Sequence, residues 1–298
     1  MSILADRPLY GVVCMIAALV LLSTMDALVK TLTMQGVTVI QILALRSSII
    51  VPALFFGFYA SGKARELKPV STRSHLARGL IGFIAPLCFF LGITHIPLTD
   101  AVVIFFSSTF IITILSSVVL GEKVGIHRWG SVIAGFIGVL IVVGPKGGGQ
   151  ITGYLLVFAG SLGYALMFVS GRYLSATETV ASMVISSNLC AGVISLILLP
   201  FFWTSLDSTM VLFVVFVAVF ALGGHYLITT AFSRAEASLL APFEYTSIIW
   251  AVMFDMLIWK VSPTLSTIIG AVIIIGSGLY IVHRERLRQG SSEPESSM

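Results

Sequence analysis

Long apolar runs divided by short polar breaks recur along this chain from Pro8 to Val282. Each run is close to the roughly 20 residues a helix needs to cross about 30 Å of hydrocarbon. The pattern predicts ten helices, at residues 8–31, 37–60, 75–94, 99–120, 127–144, 151–172, 178–201, 209–232, 237–258 and 264–282. The breaks carry turn chemistry: Gly62 with the charged run from Lys63 to Lys68, Pro97, Gly121, Pro145 with Gly147 to Gly149, Trp203 to Ser208, and Pro263. The expected fold is an all-α membrane protein of ten transmembrane helices.

The pattern is written twice. A shift of 137 positions lays Glu122-Lys123-Val124 on Trp259-Lys260-Val261, with a long apolar run before each and a glycine-spaced apolar run after each. This divides the chain into a first repeat at 1–144, a linker at 145–150, a second repeat at 151–283, and a polar Ser/Glu-rich tail at 284–298 that is expected to be disordered. Five spans are an odd number, so the second repeat enters the membrane from the opposite face and the repeats are inverted. Many secondary carriers are built this way, with substrate near the midplane and a rocking motion that exposes it to each side. A duplicated unit can also serve as a non-transporting scaffold. Gly130, Ala134 and Gly138 recur every four residues on the fifth span, matched by Thr267 and Ala271 on the tenth, and predict a close helix seam.

Composition narrows the class. With 57% apolar and 10% charged residues and a mean hydropathy of +1.06, a chain of 298 residues has too few charges to cover a soluble globule. The net charge of +4 does not mark a nucleic-acid surface, because the basic residues lie in loops. Arg7, Lys63 to Arg78, Lys123, Arg128, Arg172, Arg234 and Arg284 to Arg288 fall on the face of the termini, against Lys30, Lys146 and Lys260 opposite. That asymmetry places both termini in the cytoplasm, in a multi-pass protein of the cytoplasmic membrane. The first span lacks a small-residue cleavage site, so no removable signal peptide is expected. Cys14, Cys88 and Cys190 lie within spans, without metal spacing, and read as packing residues. No nucleotide loop, metal set or nucleophile elbow occurs. No cofactor is expected, and the partners are a small-molecule substrate and the bilayer, with the protein a monomer or homodimer.

Polar groups inside spans single out the candidate site, since a central charge costs on the order of 3 kcal/mol on insertion scales. Arg46 lies nine residues into the second span, roughly 14 Å deep at about 1.5 Å per residue. Asp26 on the first span is its expected countercharge or a coupling group, and shares a helix face with Lys30. An offset of 142 matches Arg46 to Asn188. Glu244 follows Pro242, whose missing N–H loosens the ninth span, and a carboxylate there could hold a proton, face a cation, or stay neutral. Ser107 takes the matching place at 137. Phe89, His225, Tyr226, Tyr245 and Trp250 complete the candidate binding set, with Phe105, Phe106, Phe110 and Tyr164 as further aromatics able to stack on a flat ligand or simply to fill the core. Asp100 reads as helix-start chemistry, and Asp255 as a group near the outer end of its span that reaches water.

With these pieces assembled, the chain resembles the drug/metabolite transporter superfamily, and within it the EamA-type branch. The resemblance rests on Arg46, on Pro97-Leu98-Thr99-Asp100-Ala101, on Leu120-Gly121-Glu122-Lys123 before Arg128-Trp129-Gly130, on Gly135 to Val139, and on Ala241-Pro242-Phe243-Glu244-Tyr245. Two positions depart from the family pattern: Thr109 stands where a proline is usual, and Trp259-Lys260 where a Gly-Glu usually ends the ninth span. The resemblance implies a carrier of small organic metabolites and not an enzyme. The aromatic lining favours uptake of a flat heterocycle such as riboflavin. An amino-acid or metabolite exporter and an S-adenosylmethionine carrier are the alternatives within the fold; a non-transporting scaffold or integral-membrane enzyme is the alternative outside it.

Overall fold

A computed structural model describes residues 6–121, 124–144 and 149–290, and the regular secondary structure within these segments is all helical. The helices are α1 (Asp6–Met34), α2 (Val39–Ala60), α3 (Thr72–Ile93), α4 (Leu98–Phe105), α5 (Ser107–Val119), α6 (Ile126–Val143), α7 (Gly149–Leu174), α8 (Val180–Leu198), α9 (Ser208–Arg234), α10 (Ala237–Glu244), α11 (Thr246–Leu257) and α12 (Leu265–Gly290). Among the described residues nine stretches are long and apolar enough to cross a membrane, α4 and α5 together making one of them. Joining α10 and α11 gives the tenth. The start of α1 and the end of α12 therefore share one side of the membrane, called here the terminal face.

Two expectations are corrected. The fourth and ninth spans are not continuous helices but pairs of half-helices, broken at Phe106 and Tyr245. The expected tail begins too early, because α12 continues past residue 284 to Gly290. Glu122 and Lys123, residues 145–148 of the expected linker, and 291–298 of the tail lie outside the described residues.

The packing repeats under inversion. α1 lies along α9 as α3 lies along α7, and α2 against α8 and α6 against α12 are pairs formed by the two equivalents themselves. The all-α architecture is thus two inverted five-helix repeats. Much apolar surface points outward, such as Phe201 and Ile126, each 82% exposed. In water such a surface would be anomalous, and against lipid it is required.

The α6–α12 seam exists, but only in part. A Cβ on Gly138 would stand 3.0 Å from the carbonyl of Gly270, and one on Gly270 would stand 2.7 Å from that of Gly138, so these backbones touch. Gly130 has nothing within 4 Å, contrary to the expected seam. The two helices cross at Gly138 and separate toward the terminal face, where Tyr280 and His127 meet at 2.8 Å.

Candidate functional site

The half-helix breaks put polar backbone inside the bundle. Phe106 and Tyr245 occupy the two hinges, and their rings pack 4.8 Å apart, which ties one break to the other. Beyond each hinge the ladder restarts with a bond reaching three residues back: Thr109 N–H to the Phe106 carbonyl and Ile248 N–H to the Tyr245 carbonyl, both 3.1 Å. In the second half, Thr246 and Ser247 hydroxyls donate to the carbonyls of Phe243 (2.7 Å) and Glu244 (2.8 Å). Pro242 adds a missing donor one turn earlier. The hinges stand 139 positions apart, so Glu244 is the equivalent of Phe105, and Ser107 that of Thr246. The match of Ser107 with Glu244 is off by two, and Ser107 is fully buried, its hydroxyl without a partner.

Arg46 is positioned by α2, whose start is fixed to the other repeat. Thr38 caps it, accepting from Gln41 N–H and donating 2.7 Å to the Phe202 carbonyl. Thr179 caps α8 in the same way, accepting from Ser182 N–H and donating to the Glu66 carbonyl. These caps stand 141 apart, so the equivalent of Arg46 is Ser187, not Asn188. The Asn188 amide donates 2.9 Å to the Val184 carbonyl of its own helix.

Arg46 holds its guanidinium carbon 5.8 Å from the centre of the Phe90 ring, and its Nε is buried without an acceptor. Asp26 and His225 both lie within its electrostatic reach. From Phe90 a row of rings runs through Phe89 (5.9 Å) and Phe105 (5.2 Å) to Tyr164 (5.1 Å). Glu244 sits near enough to act on Tyr164 and Tyr245. Trp250 Nε1 is likewise a buried donor without a hydrogen-bond partner. The structure thus brings Asp26, Arg46, Phe89 and His225 into one group and Glu244 and Tyr245 into another, joined by the aromatic row. Tyr226 is not in either; it is 72% exposed and its electrostatic neighbour is Tyr10.

Sequence reasoning missed two buried clusters. Opposite the termini, Asp255 is 1% exposed instead of reaching water. Its carboxylate accepts the N–H groups of Leu98 (3.0 Å) and Thr99 (2.7 Å) at the start of α4, 3.7 Å from Lys30. Lys30 Nζ donates to the Ile96 carbonyl at 2.8 Å and stands 4.7 Å from the centre of Trp259. Asp100 lies in the first turn of α4 as expected, with its side chain accepting from Tyr154 (2.5 Å) and Thr267 (2.6 Å). At the terminal face, Glu178 accepts from the N–H of Val70 and Ser71 and pairs with His75 at 3.0 Å; His75 Nδ1 lies 2.5 Å from Ser186 Oγ. Burial opposes ionisation of Glu178, but the imidazole and the two N–H groups outweigh it and hold its carboxyl down at about 2. The pairing of Lys30 was readable only as an intramembrane charge.

Away from these groups, a cleft of about 410 Å³ opens between α6 and α12, lined by residues such as Gly130, Ala134, Gly276 and Tyr280. It has no Asp, Glu, Lys or Arg in its walls, which sets it apart from the polar site. Among the described residues no three His, Cys, Asp or Glu side chains gather as a metal site. Cys14 is buried, and Cys88 and Cys190 are half-buried and unpaired.

Inverted five-helix repeats with paired half-helices between them are an architecture of membrane transporters. Residues 9–144 and 151–283 both match the EamA-like transporter family, and the chain belongs to that family. It is similar to an S-adenosylmethionine uptake transporter of Rickettsia conorii, 26% identical with 80% of each chain covered. It is similar also to a pseudopaline exporter of Pseudomonas aeruginosa (27% identical, 89% of this chain and 93% of that one) and to a riboflavin transporter of Rhizobium johnstonii (26%, 72% of each). A solved crystal structure superposes with a TM-score of 0.65 at 19% identity, covering 96% of this chain and 99% of the other, a likeness of fold.

Proposed function

We propose that this transporter is a secondary carrier of the cytoplasmic membrane. In this reading it moves a small dipolar organic metabolite by exposing a site between its repeats to each face in turn. The observation that carries the reading is Arg46 Nε, buried with no acceptor at one end of the row Phe90, Phe89, Phe105, Tyr164, with Glu244 at the other end. A buried donor left unpaired is costly, and a carboxylate arriving on a ligand would satisfy it. The rings would carry a flat body by stacking, and Glu244 would face an ammonium or sulfonium. S-adenosylmethionine, named for one set of relatives, has all three features. Amino-acid-derived metabolites, the exporter reading, have the first and third. The aromatic row alone favours the second reading, a neutral flat heterocycle such as riboflavin. The dispersed placement of these groups away from one interface argues against an enzyme.

The test is a thermal-shift panel of S-adenosylmethionine, amino acids and riboflavin on the purified protein, followed by flux in vesicles with the ligand that binds. Arg46→Ala and Glu244→Gln are each expected to cut flux at least about tenfold while the protein still inserts and folds. Full flux in both variants removes these residues from the site; a shift with riboflavin alone selects the second reading.

A further inference from the structure

The two pairs of half-helices are in different states. At the face opposite the termini, the start of α4 packs against α11. The equivalent contact at the terminal face would join α10 to α5, and among the described residues these two helices pack far less closely than α4 and α11 do. A structure with this asymmetry is shut on one face and parted on the other.

The shut face has a specific fastener. The first N–H groups of any helix lack intrahelical acceptors, and burying the start of α4 removes the water that would otherwise serve them. Asp255 replaces that water with a carboxylate from the other repeat, bonded to Leu98 N–H and Thr99 N–H. A carboxylate at a helix N-terminus also gains from the helix dipole. Lys30, from α1, sits at 3.7 Å and keeps the buried charge from standing alone. Counting from the hinges, the start of α10 at Ala237 is the equivalent of Leu98, and the equivalent of Asp255 is Ser116, a buried residue on α5. At the terminal face, then, the position equivalent to Asp255 carries a hydroxyl in place of a carboxylate.

We propose that Asp255, backed by Lys30, is the latch of the gate opposite the termini, and that its replacement by Ser116 in the other repeat makes the resting protein open toward the terminal face. Asp255 and Lys30 are positioning residues in this scheme: they act on where α4 sits, not on the substrate. Each transport cycle breaks both N–H bonds to Asp255 and exposes them to water, then remakes them. This rests on the carrier reading above, yet it can be tested without flux.

The experiment uses the full chain in lipid vesicles, with Cys14, Cys88 and Cys190 replaced by Ala and spin labels attached in pairs. Labels at Thr94 and Ser262, in loops opposite the termini, report the latched gate; labels at Val119 and Ser233 report the terminal face. The unmodified gate is expected to give one short Thr94–Ser262 distance. Asp255→Asn keeps the shape but loses the charge, and should raise the population of longer distances roughly tenfold, while Asp255→Glu restores the short one in part. Ser116→Asp gives α10 a carboxylate and should shorten the Val119–Ser233 distance; it decides the matter if Asp255→Asn does not fold. Unchanged distributions in Asp255→Asn and in Ser116→Asp overturn the latch even if flux is intact. A gate that opens in Asp255→Asn while no solute is ever transported keeps the latch and removes the carrier reading.

Discussion

Glu178 belongs to no helix, yet its carboxylate supplies the acceptors that Val70 and Ser71 need at the start of α3 and pairs with His75 across 3.0 Å. Its folded value, held down at about 2, is below the ordinary carboxylate value of 4.5. Such a group stabilises the fold fully above its unfolded value, and the contribution disappears as pH falls through the folded one. Melting of the protein against Glu178→Gln should show a gap at about pH 5 that narrows below about 4.5 and closes near 2; a gap that keeps widening as pH falls from about 4.5 to 2 would contradict the lowered carboxyl. At this scale Arg46 and Glu244 were legible because charge inside an apolar run is conspicuous in sequence. Asp255 and Glu178 were misread or passed over because their partners lie 157 and 108 residues away, and nothing local marks a carboxylate as another helix's cap.

Among the elements, span positions followed directly from hydrophobic runs, and the two hinges did not. Pro242 signalled a break in the ninth span, whereas the fourth span breaks at Phe106 with no proline in α4 or α5. Its hinge is held by packing against Tyr245, which is a tertiary fact. Pro242→Ala restores a helix donor and should leave melting unchanged or raise it, while flux falls severalfold because the ninth span resists bending. Flux equal to the parent's would show that the hinge needs no weakened ladder. Small-residue spacing on α6 was equally ambiguous: it marked both Gly138, which touches Gly270, and Gly130, which faces open space. Gly138→Leu should therefore destabilise by about 1–3 kcal/mol through overpacking, and Gly130→Leu by almost nothing. Denaturation of the two variants in the same detergent checks the contrast, and equal losses would mean that α6 packs on α12 along its whole length.

For the whole molecule, inversion follows from counting: five spans per repeat reverse the second against the first. The packing agrees, since α1 on α9 repeats α3 on α7. Which face looks into the cell is a separate matter, and the loops decide it. Arg65, Arg73, Arg128, Arg172 and Arg234 cluster at the terminal face, against Lys30 and Lys260 opposite, so the terminal face is predicted to be cytoplasmic. Single cysteines at Ser61 and Ser233, one from each repeat, should then be protected from a membrane-impermeant maleimide in intact cells. Cysteines at Thr94 and Ser262 should react. The four positions separate three arrangements. Reaction of Ser61 and Ser233 with protection of the other two keeps the inverted repeats but turns the protein over. Reaction of Ser61 and Ser262, or of Thr94 and Ser233, would mean that the repeats run parallel. The alternation of a site between faces then loses its symmetry basis, and with it the reason to read Ser116 as the counterpart of Asp255.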